Sequence, residues 1–257
     1  MKKSGKANGV TKKYSVTAII QARMQSKRLP GKSMMPLAGR PLLAHVIDRA
    51  KLMENVSSVV VATCGGEENQ CIIDLAESMG VNTYVGSMEN VLERYHFAAE
   101  KFGGDLIVRV TGDNPFTDVE YGSMIIEIAL ESGSDYCAPS NLPLGTAVEA
   151  VRRKILEEAY RMSEAPYHRE HVTAYIKEHP ELYSIERPQV NIKSRYKDIR
   201  LTVDTAEDYK LAGIIYDNLY KGEPFSLQDV LDFAGKNPEI ISINNNVEQR
   251  PQSHSEK

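Results

Sequence analysis

Residues 18–32 read AIIQARMQSKRLPGK, an apolar strand pattern that runs directly into a basic loop. The loop carries Arg23, Lys27, Arg28 and Lys32. Four cations at the carboxyl end of one strand repel one another unless an anion neutralises them, and open α/β sheets bind their ligands at such strand ends. The order of strand and loop therefore favours a bound polyanion, for which a nucleoside triphosphate is the natural candidate. The alternative is a solvated basic turn.

The composition is that of an ordinary soluble globular protein. The chain has 257 residues, 42% hydrophobic and 26% charged, with a formal net charge of −4. That charge offers no general attraction for nucleic acid or an anionic membrane, so neither is expected as a partner and any anion site must be local. Cys64, Cys71 and Cys137 lack a metal-type spacing and are expected to be reduced. Because no apolar run is long enough to span a bilayer and the Lys-rich start has no apolar core, we expect a cytoplasmic protein.

Short apolar runs alternate with helical patterns through the first half of the chain. Strands are predicted at Val16–Gln21, Val59–Thr63, Thr83–Val85 and Leu106–Val110. Helices are predicted around residues 42–47, 72–76, 91–98 and 124–129, where apolar side chains recur at helical spacing. Strand–helix alternation implies an α/β fold with a mostly parallel, Rossmann-like sheet flanked by helices.

The pattern loosens after Tyr136, and we expect an inserted arm at about residues 137–197. Its predicted elements are extended segments at Ala147–Val151 and Leu182–Glu186 and helices at Arg153–Met162 and His168–Lys177. A strong strand, Ile199–Val203, then returns, followed by helices from Ala206 to Tyr220 and from Ser226 to Ala234. Residues 15–243 are therefore predicted to form a single domain between disordered tails at 1–14 and 244–257, which are polar and aperiodic.

Two aspartates follow predicted strands at the same edge as the basic loop. Asp113 follows Leu106–Val110, and Asp204 follows Ile199–Val203. Mg²⁺ bound to phosphate takes one or two protein carboxylates, so a shared metal–phosphate site is one interpretation. The other is local, since Asp113 suits a turn and Asp204 a helix cap. Two unit charges 4 Å apart interact by ~4 kcal/mol at an effective dielectric of 20, so a cluster of aspartates needs a neutralising cation.

Four motifs follow one another in order: QARMQSKRLPGK at 21–32, GRPLL at 39–43, TGDNP at 111–115 and VDTAED at 203–208. Together they resemble the cytidylyltransferases that activate acidic sugars, which include the acylneuraminate and 3-deoxy-manno-octulosonate enzymes. The segments NVLERY at 90–95 and REHVT at 169–173 are similar to the spore-coat polysaccharide biosynthesis branch. The resemblance covers about residues 16–220 and implies a fold of the nucleotide-diphospho-sugar transferase type.

The resemblance also implies roles around the nucleotide. Arg23 and Arg28 would grip the triphosphate, Lys32 would neutralise charge at the reacting phosphate, and Asp113 and Asp204 would bind Mg²⁺. Arg23, Lys32 and Asp113 are thus the expected catalytic residues.

Four further residues are assigned to the nucleotide side. Gln21 and Ala22 would line the cleft, and Thr63 ends the second strand on that side. Thr111 stands where the octulosonate enzymes have Gln.

The sugar side is expected in the second half of the chain. Glu149 is predicted to bond sugar hydroxyls, and Arg200 is a candidate for the sugar carboxylate. His168 and His171 crowd one predicted helix, and His168 is assigned to the substrate; the alternative is a surface helix that happens to carry two histidines.

The expected function is transfer of CMP from CTP to an acidic keto-sugar of the nonulosonic or octulosonic type, with release of pyrophosphate, for surface glycan biosynthesis. By the same resemblance we expect Mg²⁺ as cofactor and a homodimer formed through the arm. One alternative is a glycosyltransferase that uses a nucleotide sugar, although the Asp-x-Asp pattern of such enzymes is missing at Asp113-Asn114-Pro115. The other is a non-catalytic nucleotide-binding protein.

Overall fold

A computed structural model describes residues 14–192, 196 and 198–249 of the chain. The predicted N-terminal tail therefore lies outside the described residues except for Tyr14. Among the residues that are described, no helix has both the length and the apolar character that a membrane span requires.

The centre of the molecule is a seven-stranded sheet in the order β5-β4-β1-β6-β8-β7-β9. Its strands are β1 (Val16–Gln21), β4 (Ser58–Cys64), β5 (Asn82–Gly86), β6 (Leu106–Thr111), β7 (Tyr136–Cys137), β8 (Glu149–Arg152) and β9 (Ile185–Glu186). Within this sheet β8 alone runs against the others, pairing antiparallel with β6 and β7. A small hairpin joins β2 (Pro36–Leu37) to β3 (Arg40–Pro41). The mostly parallel sheet confirms the predicted fold class.

Helices cover both faces of the sheet. They are α1 (Leu42–Leu52), α2 (Gln70–Ser78), α3 (Val91–Phe102), α4 (Val119–Ser132), α5 (Arg153–Met162), α6 (Pro166–Glu170), α7 (Ala174–Glu178), α8 (Ala206–Leu219) and α9 (Leu227–Lys236). Short 3₁₀ turns occupy Lys32–Met34, Glu67–Asn69 and Pro238–Asn244. Apolar side chains of α1, α2, α4, α8 and α9 pack on one face, and those of α3, α5 and α7 on the other.

Alternation along β1 shows how the two layers form. Ala18 and Ile20 join the first apolar cluster, whereas Ile19 joins the second. All three are completely buried. Because a parallel strand covered on both faces needs apolar residues at nearly every position, this run forms an interior strand between β4 and β6.

The segment predicted as an inserted arm is built into the domain. Its strands β8 and β9 pair with β6 and β7, and α5 and α7 cover one face of the same sheet. The helix predicted at His168–Lys177 is divided into α6 and α7. The backbone is not helical at His171, which ends α6, or at Thr173, which precedes α7. The break lets the Thr173 hydroxyl reach Glu149 at 2.9 Å.

The strand predicted at Ile199–Val203 is wrong: this segment is extended and buried but forms only an isolated bridge, between Arg200 and Leu144. Its backbone bonds go to two different segments. Leu201 N donates to Leu144 O at 2.8 Å, and Val203 N donates to Asp113 O at 2.9 Å. The hydrophobic pattern correctly predicted that the segment is buried. Whether a segment pairs with a neighbouring strand depends on tertiary structure, which the pattern does not contain.

The C-terminal boundary also differs from the prediction. Asn244, expected to begin a disordered tail, is 3% exposed and bonds to Arg200 and Asp208. The described chain follows the domain surface as far as Gln249, which accepts a hydrogen bond from Arg200.

Candidate active site

The loops that follow β1 and β6 touch at the carboxyl edge of the sheet. Gln21 stands opposite Thr111 in the pairing of the two strands, and Gly112 N donates to Gln21 O at 2.8 Å. A Cβ on Gly112 would lie 2.6 Å from Gln21 O and 2.9 Å from Ala22 Cβ, so only glycine allows this approach. After β1 the chain continues to β4, toward one edge of the sheet, and after β6 it continues to β7, toward the other edge. This is the strand arrangement that opens a ligand crevice in α/β proteins.

Lys32 joins the two predicted carboxylates at this crevice. Its ammonium donates to Asp113 Oδ2 at 2.7 Å, to Asp204 Oδ1 at 2.8 Å and to Val203 O at 2.8 Å. Gly31, with φ of +75°, turns the chain so that Lys32 begins a 3₁₀ turn beneath the loop. Three residues far apart in the sequence therefore meet as predicted.

Charge pairing dominates the electrostatics of this group. Burial alone would lower the pKa of Lys32, but Asp113 and Asp204 outweigh it and raise that pKa above its ordinary value. Burial alone would raise the pKa of Asp204, but Lys32 first, then Arg28 and Arg200, hold it below its usual range. Lys32 is thus protonated and Asp204 ionised at neutral pH.

The two predicted arginines of the basic loop face different parts of the crevice. Arg28 pairs with Asp204 at 2.8 Å, measured from Nη2 to Oδ2. Arg23 reaches the other way and donates to Met88 O at 3.3 Å, in the loop between β5 and α3. The basic loop therefore spans the edge of the sheet from β5 to the Asp113–Asp204 pair.

The nucleotide-side residues divide by exposure. Gln21 and Thr111 are partly exposed at adjacent strand ends, and Ala22 is buried beside them. Thr63 is completely buried, so its side chain does not line the crevice. Within the described residues its Oγ1 has no hydrogen-bond partner.

Arg200 is not available for a substrate carboxylate. Its Nε donates to Asp208 Oδ1 at 2.9 Å, its Nη2 to Asp204 Oδ2 at 2.9 Å, and its Nη1 to Gln249. The side chain is buried by these partners. The predicted role is therefore corrected: Arg200 holds Asp204 and Asp208.

Glu149 also has a setting that differs from the prediction. Its Oε1 accepts from Tyr136 at 2.6 Å and Lys177 at 3.2 Å, and its Oε2 from Arg109 at 2.7 Å and Thr173 at 2.9 Å. A carboxylate offers about four lone-pair positions, and protein donors fill them. We call these five residues the Glu149 cluster. It leaves no free oxygen for a sugar hydroxyl, which corrects the predicted role of Glu149.

The negative charge of Glu149 is strongly stabilised within this cluster. Burial alone would raise the pKa of Glu149, but Arg109 and Lys177, aided by the Tyr136 hydroxyl, hold it well below its usual range. Arg109 also donates to Gln21 Oε1 at 3.4 Å. The cluster is thereby tied to the end of β1 and to the basic loop.

His168 is packed inside the protein instead of facing the crevice. It is buried, its Nε2 lies 2.9 Å from Glu178 Oε2, and its ring contacts those of Tyr167 and Tyr175. This corrects its assignment to the substrate. His171 is half-buried, and its pKa is lowered first by burial and further by Arg109 and Lys177.

The Asp113–Asp204 pair fits a magnesium ion bound to phosphate. Within the residues that the structure describes, no three His, Cys, Asp or Glu side chains could together hold a metal. The donor set is two carboxylates, and Mg²⁺ at phosphates needs no more than that. Asp113 is 28% exposed, and it accepts a hydrogen bond from Lys32 through Oδ2. Carboxylate oxygens are the donors that a hard cation prefers, and a bound cation would share Asp204 with Lys32, Arg28 and Arg200.

Several residues of the site escaped the sequence prediction. Lys177, Tyr136 and Thr173 converge on Glu149, and Asn244 and Gln249 support Arg200. One contact of the Glu149 cluster had a signal in the sequence: Arg109 and Glu149 are paired in neighbouring strands, where charges of opposite sign stabilise each other. The remaining contacts depend on tertiary packing.

A crevice at the carboxyl edge of an α/β sheet, lined by a basic loop and two carboxylates, defines a nucleotidyltransferase. A family model described as cytidylyltransferase matches residues 17–228, most of the chain. The protein therefore belongs to the cytidylyltransferase family, which confirms the predicted resemblance and the nucleotidyltransferase class.

Individual relatives agree. The chain is 33% identical over 229 residues to the spore coat polysaccharide biosynthesis protein SpsF of Bacillus subtilis, covering 87% of this chain and 95% of that protein. It is 36% identical over 121 residues to a 3-deoxy-manno-octulosonate cytidylyltransferase of an Anaeromyxobacter species, covering 46% and 48% of the two chains. The solved structure of a cytidylyltransferase from Leptospira borgpetersenii superposes with a TM-score of 0.84 at 29% identity, covering 92% of this chain and all of that one.

Proposed function

We propose that the protein transfers CMP from CTP to an acidic keto-sugar and releases pyrophosphate, supplying an activated sugar for a surface glycan. The observation that carries this proposal is the contact of Lys32 with both Asp113 and Asp204 at the crevice between β1 and β6. Cations for a triphosphate and carboxylates for its metal ion meet there. Membership of the cytidylyltransferase family is the reason for proposing CTP as the nucleotide.

The basic loop binds the triphosphate in this proposal. Arg23 and Arg28 grip its phosphates from the two sides of the crevice, while Gln21 and Ala22 line the nucleotide cleft. Lys32 neutralises the charge that develops at the α-phosphate. Such preorganised donors account for most of the catalysis in phosphoryl-type transfer, which needs little covalent work by the protein.

Asp113 and Asp204 would hold Mg²⁺, which neutralises phosphate charge and favours departure of pyrophosphate. The anomeric hydroxyl of the sugar attacks the α-phosphorus, forming the new oxygen–phosphorus bond as the bond to the bridging oxygen of pyrophosphate breaks. The hydroxyl proton passes to solvent.

An acidic acceptor matches the cations around the Glu149 cluster. Arg109 and Lys177 share the single carboxylate of Glu149, so the three groups carry a net positive charge. Arg187 follows β9 at the same edge of the sheet and lies 6.0 Å from the Tyr136 ring. The side chain of Lys177 is 24% exposed, so solvent reaches it. We assign the acceptor carboxylate to Lys177 and Arg187 in place of Arg200.

The family resemblance further supports a homodimer and a cytoplasmic location as parts of this proposal. Sedimentation velocity tests the first: a single species of twice the chain mass is expected, and a monomer at micromolar concentration would contradict it.

The central experiment measures pyrophosphate release from each nucleoside triphosphate with Mg²⁺ and a panel of nonulosonic and octulosonic acids. Release is expected with CTP, and it should fall by roughly 10²–10³-fold in Asp113→Asn, as when one transition-state contact is removed. Asp232→Asn, on the exposed side of α9, is the matched control and should stay active.

Two results would contradict the proposal. Release with UTP or GTP and a sugar 1-phosphate would assign another nucleotidyltransferase reaction. Transfer of a sugar from an intact nucleotide sugar, without pyrophosphate, would make the protein a glycosyltransferase.

A further inference from the structure

Residues Pro238–Gln249, which we call the C-terminal strap, cross the domain beside Asp204. The family match ends at residue 228, so the strap lies outside it. It begins with a 3₁₀ turn, Pro238–Asn244, that packs on α8. Ile240 is buried in the main apolar cluster and anchors the turn.

Two polar side chains of the strap enter the neighbourhood of the site. Asn244 Nδ2 donates to Arg200 O at 3.0 Å and to Asp208 Oδ1 at 2.8 Å. Gln249 Oε1 accepts from Arg200 Nη1. The strap therefore holds both the backbone and the guanidinium of Arg200, together with the carboxylate of Asp208.

Arg200 and Asp208 in turn hold Asp204 from two directions. Arg200 Nη2 donates to Asp204 Oδ2 at 2.9 Å, which fixes the carboxylate. Asp208 Oδ2 accepts from the Asp204 and Thr205 backbone N–H groups at 3.0 Å each, which fixes the chain at the start of α8. The Asp208 side chain is fully buried, so its orientation is set by these contacts.

We propose that the C-terminal strap is a positioning element for the metal-binding carboxylate of Asp204, acting through Asn244, Gln249, Arg200 and Asp208. This inference rests on the proposed function, which makes Asp204 a Mg²⁺ ligand. Asn244 and Gln249 touch neither substrate nor metal. They fix the residues that fix the ligand, and loss of such outer partners typically weakens metal binding.

The test compares Asn244→Ala and Gln249→Ala with the control Asn237→Ala. Asn237 immediately precedes the strap, and its side chain donates to Phe233 O at 2.9 Å. Titration calorimetry gives the Kd of CTP with Mg²⁺ and with EDTA, and electron paramagnetic resonance gives the Kd of Mn²⁺ alone.

We expect Asn244→Ala and Gln249→Ala each to weaken Mg²⁺–CTP and Mn²⁺ binding by roughly tenfold while changing CTP affinity in EDTA by less than about twofold. The control should lower the melting temperature without moving any of these constants. A purely structural strap would lower stability in all three variants and leave metal affinity unchanged.

Metal affinities of both variants that equal those of the control would overturn the inference. Gln249 is exposed, so Gln249→Ala decides the question even if Asn244→Ala does not fold. A wild-type protein that binds Mn²⁺ but not CTP would contradict the proposed function and not the strap. A wild-type protein that binds neither would contradict both.

Discussion

Lys32 occupies an unusual position for a lysine, because it is 8% exposed and yet charged. A buried ammonium is tolerated only when it is paired, and here Asp113 and Asp204 pair with it. Each carboxylate also depends on Lys32, since the two would otherwise repel each other across the crevice. The same side chain therefore stabilises the crevice and supplies charge to the reaction proposed for it.

Lys32→Met should remove activity more completely than it removes stability. Loss of its charge is expected to lower kcat by roughly 10²–10³-fold, as for other transition-state donors. Arg28 and Arg200 still neutralise Asp204, so unfolding in urea should show a loss of only about 1.5–3 kcal/mol. Lys236→Met, at the exposed end of α9, is the control. A kcat within tenfold of wild type would contradict the role of Lys32.

Lys177→Met tests the acceptor assignment. Removing this partner should raise KM for the acidic sugar by roughly tenfold, the loss of one charged hydrogen bond, and leave KM for CTP nearly unchanged. Lys154→Met is the matched control. The Lys154 side chain is 76% exposed, and its Nζ pairs loosely with Asp135 Oδ1 at 3.8 Å. An equal rise in both KM values would show a general effect on the fold instead.

Among the elements, the extended segment Ile199–Val203 carries Asp204 without belonging to a ladder. Gly145 makes its position possible. Its φ is +94°, and a Cβ there would lie 2.3 Å from Thr202 N. Backbone therefore packs directly on backbone.

Gly145→Ala should move this segment and Asp204 with it. The clash and the left-handed backbone together predict a loss of stability of roughly 2–4 kcal/mol, measured by urea unfolding, with activity lost in parallel. Gly213→Ala in α8 is the matched control: nothing lies within 4 Å of its Cβ position, and alanine should stabilise the helix by about 0.5–1 kcal/mol. A Gly145→Ala protein as stable and active as wild type would show that the segment has room to shift.

The sequence predicted elements best where periodicity and burial agree. The spans of β1 and α5 match their predicted bounds, and the other early strands differ only at their ends. Ser226 and Asp229 form a capping box at the start of α9, where the helix was predicted to begin. By contrast, the break between α6 and α7 brings Thr173 to Glu149, a contact between distant segments that helical spacing does not encode.

At the scale of the whole molecule, the buried carboxylates set the response to acid. The lowered pKa values of Glu149 and Asp204 mean that the unfolded chain binds protons more tightly than the folded one. Their contribution to stability is therefore complete above the unfolded pKa of about 4 and is lost as the pH falls toward the folded values.

Glu149→Gln should expose this dependence. At about pH 7 the variant should lose roughly 3–5 kcal/mol in urea unfolding, because Arg109 is left buried without its partner. On acidification to about pH 3, wild type should lose more stability than the variant, so the gap between them narrows. Glu157→Gln, an exposed helix pair, should cost about 0.3–0.5 kcal/mol. A gap that stays constant with pH would contradict the assignment.

The site could be predicted from the sequence only in part. Lys32 and Asp113 were placed together because each follows a strand or its loop at the same edge of a parallel sheet, whereas Asp204 joins them from an extended segment and not from the strand predicted there. Arg200 and Glu149 were misassigned because chemical type alone does not show that protein partners already occupy a charged side chain.

Lys32 and Asp113 are separated by 81 residues, and Lys32 and Asp204 by 172. Contacts of such sequence separation require long loops to close, so we expect them to form late in folding. A chain still emerging from the ribosome can bury the central strands before this crevice exists. Regain of turnover after dilution from denaturant consequently reports the docking of the last segment, and it should lag behind the return of helical circular dichroism.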